Sequence, residues 1–144
     1  MPIYEVQASP PIGFTRGEAI LPIDISLPQV LINHLTNQGV AIPQPVSGHA
    51  LIDTGASISV VDLAVLTKLN IHPIGVANVL TTAGTAQQNL FPARFQIPGM
   101  IIDVSAVLGA NLSSQGFVAL IGRDILSRFI MIYHGPAGRM TLAT

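Results

Sequence analysis

Two short apolar segments, each followed by a turn that contains glycine, constrain the fold of this 144-residue chain more than any other feature. In the first, Ala50-Leu51-Ile52 leads into Asp53-Thr54-Gly55-Ala56-Ser57. In the second, Ala119-Leu120-Ile121 leads into Gly122-Arg123-Asp124 and a short helix-like segment through Phe129. Apolar residues that stop at Asp and Gly predict a buried strand followed by a tight turn. We therefore expect Asp53 at a strand-to-loop corner, beside the second turn.

The residues alone leave two interpretations of Asp53 open. An ionised carboxylate beside an apolar strand is costly unless it is hydrogen-bonded, exposed or functional. Asp is also an ordinary turn residue, so Asp53 could simply cap its own turn next to Gly55. The second segment favours the functional interpretation.

The two segments in this order resemble the retropepsin-like aspartic proteases. Asp-Thr-Gly alone would be a weak signal, whereas the downstream Leu120-Ile121-Gly122-Arg123-Asp124 makes the pair specific. The resemblance implies an all-β fold, a closed acid-protease barrel with one flap hairpin and one or two short helices. Residues 20–144 would form this domain. Residues 1–19 would form an irregular N-terminal arm that is mobile or wraps a partner subunit.

The chain carries one Asp-Thr-Gly motif, at Asp53. Aspartic proteases of the two-lobed type have two such motifs in a longer chain, so the resemblance implies a homodimer. Hydrophobic residues make up 49% of this sequence and charged residues 9%, against about 25% charged in a typical domain. A large subunit interface would accommodate the surplus, because obligate interfaces resemble a core cut in half.

The resemblance also implies the chemistry. Two Asp53 side chains across a two-fold axis would share one proton, because two like charges a few Å apart do not both ionise easily. One would take a proton from water while the other donates to the carbonyl of an extended polypeptide substrate. This aspartic endopeptidase needs no metal, cofactor or covalent intermediate. The alternative is a catalytically silent module of the same fold that dimerises or binds peptide.

The other residues of the first turn are assigned by the same resemblance. Thr54 would donate a hydrogen bond across the dimer near the two-fold axis; otherwise it is a simple turn residue. Gly55 would let the substrate backbone approach closely. Ala56 and Ser57 would bind substrate.

The second turn departs from the retroviral pattern at one position. Retroviral enzymes have an acidic residue where this chain has Ser57, and that acid meets the Arg of the second motif. Arg123 therefore needs another partner, for which we expect Asp124 or a residue of the arm. We do not transfer retroviral subsite preferences, and we expect mainly apolar subsites.

A hairpin is predicted from Val76–Leu80 and Gln88–Phe95, joined through Thr81–Ala86. In the resembled family this is the flap that closes over bound peptide, so Thr82, Ala83 and Gly84 are candidate substrate-binding residues. Without the resemblance it would be an ordinary surface hairpin.

Several further elements are predicted from local patterns. Leu21–Leu27 alternates as a half-buried strand, and Gln29–Gln38 forms one or two helical turns. Residues 28–47 form an insertion that packs on the barrel or contacts substrate. Asp62 is predicted to be a structural N-cap of a helix over Leu63–Leu69. Residues 129–143 form a strand-turn-strand, our candidate for an intersubunit sheet.

Other functions are disfavoured by composition and spacing. The net charge of -1, with scattered basic residues, gives no nucleic-acid footprint. Cysteine is absent and the four histidines have no close ligand spacing, so we expect no metal site. No apolar segment reaches the roughly 18 residues of a membrane span, so we expect no membrane partner. The first residues lack the features of a signal peptide, which predicts a cytoplasmic protein.

Ser57 and His49 each have another functional interpretation, as a nucleophile and as a proton shuttle respectively. Gly55-Ala56-Ser57-Ile58-Ser59 lacks the last glycine of a nucleophile elbow, which disfavours a serine hydrolase. His49 is interpreted as an exposed residue at a strand edge in preference to a proton shuttle.

Overall fold

The structure is a computed structural model that describes residues 3–9 and 18–144. Within these residues the strands are β1 (Ile3–Ser9), β2 (Glu18–Ser26), β3 (Val46–Ile52), β4 (Val60–Asp62), β5 (Gly75–Thr81), β6 (Gly84–Ile97), β7 (Met100–Ala110), β8 (Ala119–Ile121), β9 (Ile130–His134) and β10 (Arg139–Ala143). The α-helices are α1 (Gln29–Asn37), α2 (Leu63–Lys68) and α3 (Arg123–Leu126). Short 3-10 turns lie at Ser113–Gln115 and Gly135–Ala137.

Six of the strands close into a barrel. Neighbouring strands pair in the order β2, β3, β8, β4, β7 and β6, and β6 pairs again with β2 through Asp24↔Gln96 and Ile25↔Phe95. Closure leaves no open sheet edge along this ring. The predicted all-β closed barrel with short helices is confirmed.

Alternation in β2 shows how the sequence builds the barrel core. Leu21, Ile23 and Ile25 are at most 3% exposed, because residues two apart point to the same face of a strand. The largest fully buried side chains include Phe95 of β6 and Leu66 of α2. The predicted half-buried strand from Leu21 onward is confirmed.

Two parallel pairings place the two sequence motifs side by side. β3 runs parallel to β8, with Ile52 opposite Ile121, and β4 runs parallel to β7. The carboxyl ends of parallel strands meet at the same edge. Asp53 and Gly122, which follow these strands, therefore lie next to each other.

Both predicted hairpins form. β5 and β6 pair down to Thr81↔Gly84, so the loop between the two strands contains only Thr82 and Ala83 and is shorter than expected. β9 and β10 pair in register from Ile130↔Ala143 to His134↔Arg139. Whether this second hairpin joins an intersubunit sheet stays a prediction.

The expectation of an irregular N-terminal segment is wrong for residues 3–9. β1 pairs along β10, from Ile3↔Ala143 to Gln7↔Arg139, and its last two residues pair with the start of β2. The sequence of so short a segment does not identify the strand that it pairs with, and that strand, β10, is distant in the sequence. Residues 10–17 of the predicted arm lie outside the described residues, and the domain boundary at residue 20 stays a prediction.

Asp62 is structural, although it does not act as a helix cap. It precedes α2, but its side chain forms no capping bond. Its Oδ1 accepts a hydrogen bond from the backbone N–H of Leu112, at 2.8 Å, and the residue is buried. The carboxylate therefore ties the start of α2 to the loop after β7.

The segment 28–47 packs on the barrel through α1. Leu31, Ile32 and Leu35 lie against the core, and Gly39, at φ +68°, ends the helix as expected. A cavity of about 440 Å³ remains between α1 and the chain after α2. These side chains therefore pack on the barrel, which is one of the two roles predicted for the segment 28–47.

Candidate active site

Asp53 lies at the corner where β3 ends. Its backbone N–H donates to the carbonyl of Ile121, at 2.9 Å, which fixes it to the neighbouring strand. Its Oδ1 accepts from the N–H of Gly55, at 3.0 Å, and its carbonyl accepts from Ala56 N–H, at 3.2 Å. Asp53 thus stabilises its own turn and also leaves part of its carboxylate accessible, since the residue is only partly buried.

A buried network supports this turn from below. Ser59 is fully buried; its hydroxyl donates to Asp124 Oδ1 at 2.6 Å and accepts from Gly122 N–H at 2.9 Å. The N–H of Ser59 donates to Asp124 Oδ2 at 3.0 Å. The network joins the segment before β4 to the start of α3. A rigid support of this kind is what a precisely placed carboxylate requires.

Gly122 is required by close approach of the backbone. A Cβ at this position would lie 2.9 Å from the carbonyl carbon of Ile58 and 3.0 Å from the carbonyl oxygen of Ala56. Both atoms belong to the backbone and cannot rotate away. The glycine of the second motif therefore lets the two motifs touch.

The prediction that Arg123 pairs with Asp124 or a residue of the arm is wrong for the residues that the structure describes. Its Nη1 donates to the carbonyl of Thr54, at 2.8 Å, and its backbone N–H donates to the carbonyl of Ala56, also at 2.8 Å. Asp124 points instead into the network with Ser59. Sequence adjacency misled the prediction, because consecutive residues at a helix start point in different directions.

A cavity of about 480 Å³ opens above the Asp53 turn. One wall is the β5–β6 hairpin, and the lining from the barrel is apolar. The lining residues are Asp53, Gly55, Ala56, Ser57, Ile58, Val60, Ala77, Asn78, Val79, Leu80, Gln88, Leu108, Ala110, Leu112 and Leu120. Among these residues Asp53 alone is ionisable.

The predicted site residues fall into three groups. Asp53, Gly55, Ala56 and Ser57 come together at the cavity. Thr54 lines a neighbouring cavity of about 380 Å³, on the side of the turn that faces β9 and β10. The remaining three, Thr82, Ala83 and Gly84, form the hairpin tip, and the hairpin's share of the Asp53 cavity comes from strand residues.

Sequence reasoning missed the strand residues of the hairpin that line the cavity. These residues, Ala77–Leu80 and Gln88, lie below the tip on paired positions of β5 and β6. A register for the hairpin would have identified them, since Ala77 lies directly opposite Gln88. The apolar lining from β7 and β8, which includes Leu108 and Leu120, needs the barrel topology and had no local signal.

An ion pair joins β6 to β7 beyond the part of β6 that pairs with β5. Arg94 Nε lies 2.7 Å from Asp103 Oδ1, and Arg94 Nη2 lies 3.1 Å from Asp103 Oδ2. The bidentate hydrogen bond from Arg94 lowers the pKa of Asp103 below its ordinary value, and the backbone N–H of Gln29 acts in the same direction. The pair links β6, β7 and α1.

Residues 3–9 and 18–144 lack two features, a metal-binding cluster and a membrane-spanning helix. They contain no group of three or more His, Asp, Glu or Cys side chains placed to hold a metal ion. They also contain no helix of the length and apolarity that crossing a membrane requires.

Solved structures identify the fold. No protein-family profile matches this sequence. No curated protein sequence matches it either. The chain is similar to a retropepsin-like aspartic protease from Rickettsia conorii, with a TM-score of 0.55 and 14% identity over 98% of this chain and 91% of that one. It is also similar to the EIAV protease complexed with the inhibitor HBY-793, with a TM-score of 0.50 and 20% identity over 83% of this chain and 93% of that one.

These similarities define the class of fold. Both relatives are covered over more than nine-tenths of their length, so the likeness extends to the whole domain. The chain has the retropepsin-like fold, and the predicted resemblance is confirmed at that level.

Proposed function

We propose that the protein is an aspartic endopeptidase that acts as a homodimer on extended polypeptide. The observation that supports this most is the position of Asp53, the sole ionisable residue among the described residues that line a 480 Å³ cavity between the barrel and the β5–β6 hairpin. Active sites are commonly apolar pockets with few, well-placed polar groups.

The chemistry supports a homodimer. One carboxylate cannot act as base toward water and as acid toward the scissile carbonyl in the same step, and the described residues that line the cavity include no second acid. A second copy would supply the second Asp53. Thr54, on the side of the turn away from the cavity, is proposed to meet its counterpart in that copy.

In the proposed reaction, the ionised Asp53 accepts a proton from water as the water oxygen attacks the peptide carbonyl carbon. The protonated Asp53 of the second copy donates its proton to the carbonyl oxygen. As the tetrahedral diol collapses and its C–N bond breaks, the first Asp53, now protonated, donates its proton to the leaving nitrogen, and the second Asp53, now ionised, takes a proton from a diol hydroxyl. The apolar lining that includes Leu108, Leu112 and Leu120 would favour apolar side chains next to the scissile bond.

The test is cleavage of a peptide library by the wild type and Asp53→Asn, from about pH 4 to pH 7, the range where a shared proton is expected to be effective. Asn keeps the shape of the side chain but cannot exchange the proton. We expect the rate to fall at least about 10³-fold. Asp24→Asn, a carboxylate on the barrel away from this cavity, is the matched control and should retain wild-type cleavage.

A mixing experiment tests the shared site. Equal amounts of wild type and Asp53→Asn, allowed to exchange subunits, leave about a quarter of the dimers with two wild-type chains. Activity should fall to that fraction, whereas independent monomers would retain about half. A folded, dimeric wild type that cleaves nothing would support the silent binding module. Equal cleavage by wild type and Asp53→Asn would reject Asp53 as the catalytic residue.

A further inference from the structure

We propose that Arg123 is a positioning residue that acts on the Asp53 carboxylate through the Thr54–Gly55 peptide group. Its catalytic consequence rests on the endopeptidase function proposed above, but the hydrogen-bond relay itself does not. Arg123 touches neither the cavity nor the carboxylate directly.

The relay consists of two hydrogen bonds on one peptide unit. Arg123 Nη1 donates to the carbonyl oxygen of Thr54, at 2.8 Å. The N–H of Gly55, which belongs to the same planar peptide group, donates to Asp53 Oδ1, at 3.0 Å. Fixing the carbonyl end of this plane also fixes the direction of its N–H.

Polarisation of this peptide group by Arg123 also strengthens the hydrogen bond to the Asp53 carboxylate. A cationic donor on a carbonyl oxygen polarises the amide, and hydrogen bonds in series strengthen one another. The N–H of Gly55 is therefore a better donor to the carboxylate than a free turn amide would be. Donation to a carboxylate favours its ionised form, which is the form required to activate water.

Arg123 is itself held firmly enough to serve this role. Its backbone N–H bonds the carbonyl of Ala56, at 2.8 Å, so the residue holds the Asp53 turn at two points. The next residue, Asp124, fixes the start of α3 through Ser59.

Few charged groups surround the relay. Asp53 is the sole ionisable residue among the cavity's described lining residues, and Glu18 and Tyr133 line the cavity on the other side of Thr54. Asp124 lies beside Arg123 but bonds Ser59 and Ile125. In the proposed dimer the second Asp53 also faces the first.

The test compares Arg123→Gln and Arg123→Lys with Arg128→Gln, an exposed arginine five residues further along the chain. Arg123→Gln should lower kcat about 10- to 100-fold, as expected for a misplaced catalytic group, with KM nearly unchanged. The acidic limb of its pH–kcat/KM profile should move to higher pH. Arg123→Lys should recover part of both effects, and Arg128→Gln should match the wild type.

The second readout is the Gly55 amide resonance in the ¹⁵N-labelled protein, which requires no activity. Weaker donation to Asp53 should move the Gly55 amide proton upfield in Arg123→Gln and less in Arg123→Lys. Asp53→Asn provides the reference for complete loss of the carboxylate.

The outcomes separate the two proposals. Wild-type kcat together with an unmoved Gly55 amide in a folded Arg123→Gln would overturn the relay. A fall in kcat with an unmoved amide and an unmoved pH profile would also overturn it, leaving a structural role. If the wild type cleaves nothing but the Gly55 amide moves, the relay stands and the endopeptidase function fails.

Discussion

The Asp53 turn lines one side of the 480 Å³ cavity and strands β5 and β6 line the other, and the turn and the tip of this hairpin are built in opposite ways. The turn rests on Ser59, which is 0% exposed, and on backbone bonds from two neighbouring elements. Next to the tip, Leu80 is 85% exposed, and the side-chain bonds that involve Thr81 reach only Ala83 and Gly84 of the tip itself. Local stability follows buried contacts. The protein thus combines a rigidly supported Asp53 carboxylate with a hairpin whose tip is weakly held.

The largest expected effect comes from breaking the support of the fixed side. Ser59→Ala removes a hydroxyl that donates to Asp124 Oδ1 and accepts from the buried Gly122 N–H. The N–H then has no acceptor, whereas Asp124 Oδ1 keeps the bond from Ile125 N–H. A buried unsatisfied N–H costs about 1–3 kcal/mol and a hydrogen bond to a charged group contributes about 1.5–3 kcal/mol, so we expect a loss of about 3 kcal/mol in the free energy of unfolding. Urea denaturation measures it. Ser105→Ala, at an exposed position of β7, should change stability by less than about 0.5 kcal/mol.

Steric contact between the two motifs gives the next largest effect. Gly122→Ala places a Cβ against backbone atoms of Ala56 and Ile58, and overpacking of this kind costs about 1–3 kcal/mol. Thermal unfolding should show a lower midpoint. Gly75→Ala is the matched control, because the nearest atom to its new Cβ, Leu90 Cδ1, is 4.0 Å away. An equal loss in both variants would contradict the close-approach explanation.

The ion pair between β6 and β7 contrasts with the weakly held tip of the β5–β6 hairpin. Asp103→Asn should lower stability near pH 7 by up to about 1 kcal/mol, since the side chains of Arg94 and Asp103 are 16% and 37% exposed. The pKa of Asp103 is depressed in the folded state, so its contribution is present above the unfolded-state pKa and is lost as pH falls through the folded-state pKa. The stabilities of the two proteins should therefore begin to converge as the pH falls below about 4. A difference that does not shrink with further acidification would contradict this cause.

The smallest global effect is expected at the tip. Thr81→Ala removes the hydroxyl that donates to Gly84 O at 2.7 Å, and we expect less than about 0.5 kcal/mol of global destabilisation. Hydrogen exchange at the tip amides should nevertheless accelerate, while exchange around Ser59 stays unchanged. Thr81→Ser keeps the hydroxyl and should restore slow exchange. Faster exchange at both places would mean that the two regions unfold together.

The sequence predicts the local features of this molecule well. Alternation identifies β2, and the two apolar segments before Gly55 and Gly122 identify the strands that meet at the site. The β5–β6 hairpin and the β9–β10 hairpin also follow from strand segments separated by small or turn-forming residues. These signals come from residues close together along the chain.

The unpredicted features depend on partners that are distant in sequence. Ser59 bonds Asp124 across 65 positions, and Asp62 bonds Leu112 across 50. Nothing in either neighbourhood specifies the partner. The hydrogen bond from Arg123 to Thr54 is unpredicted for a related reason. Every residue has a backbone carbonyl, so the sequence does not indicate which carbonyl Arg123 bonds.

The pairing of β1 with β10 has a consequence for how the chain acquires its structure. Ile3 lies opposite Ala143, so this ladder closes a loop of nearly the full described length. Closing so long a loop costs entropy before any contact repays it, and such topologies fold slowly. During synthesis on the ribosome, all the barrel strands, through β8, emerge before β10, whereas β1 must wait for β10. Refolding should therefore show the barrel protected from hydrogen exchange before the β1–β10 ladder is.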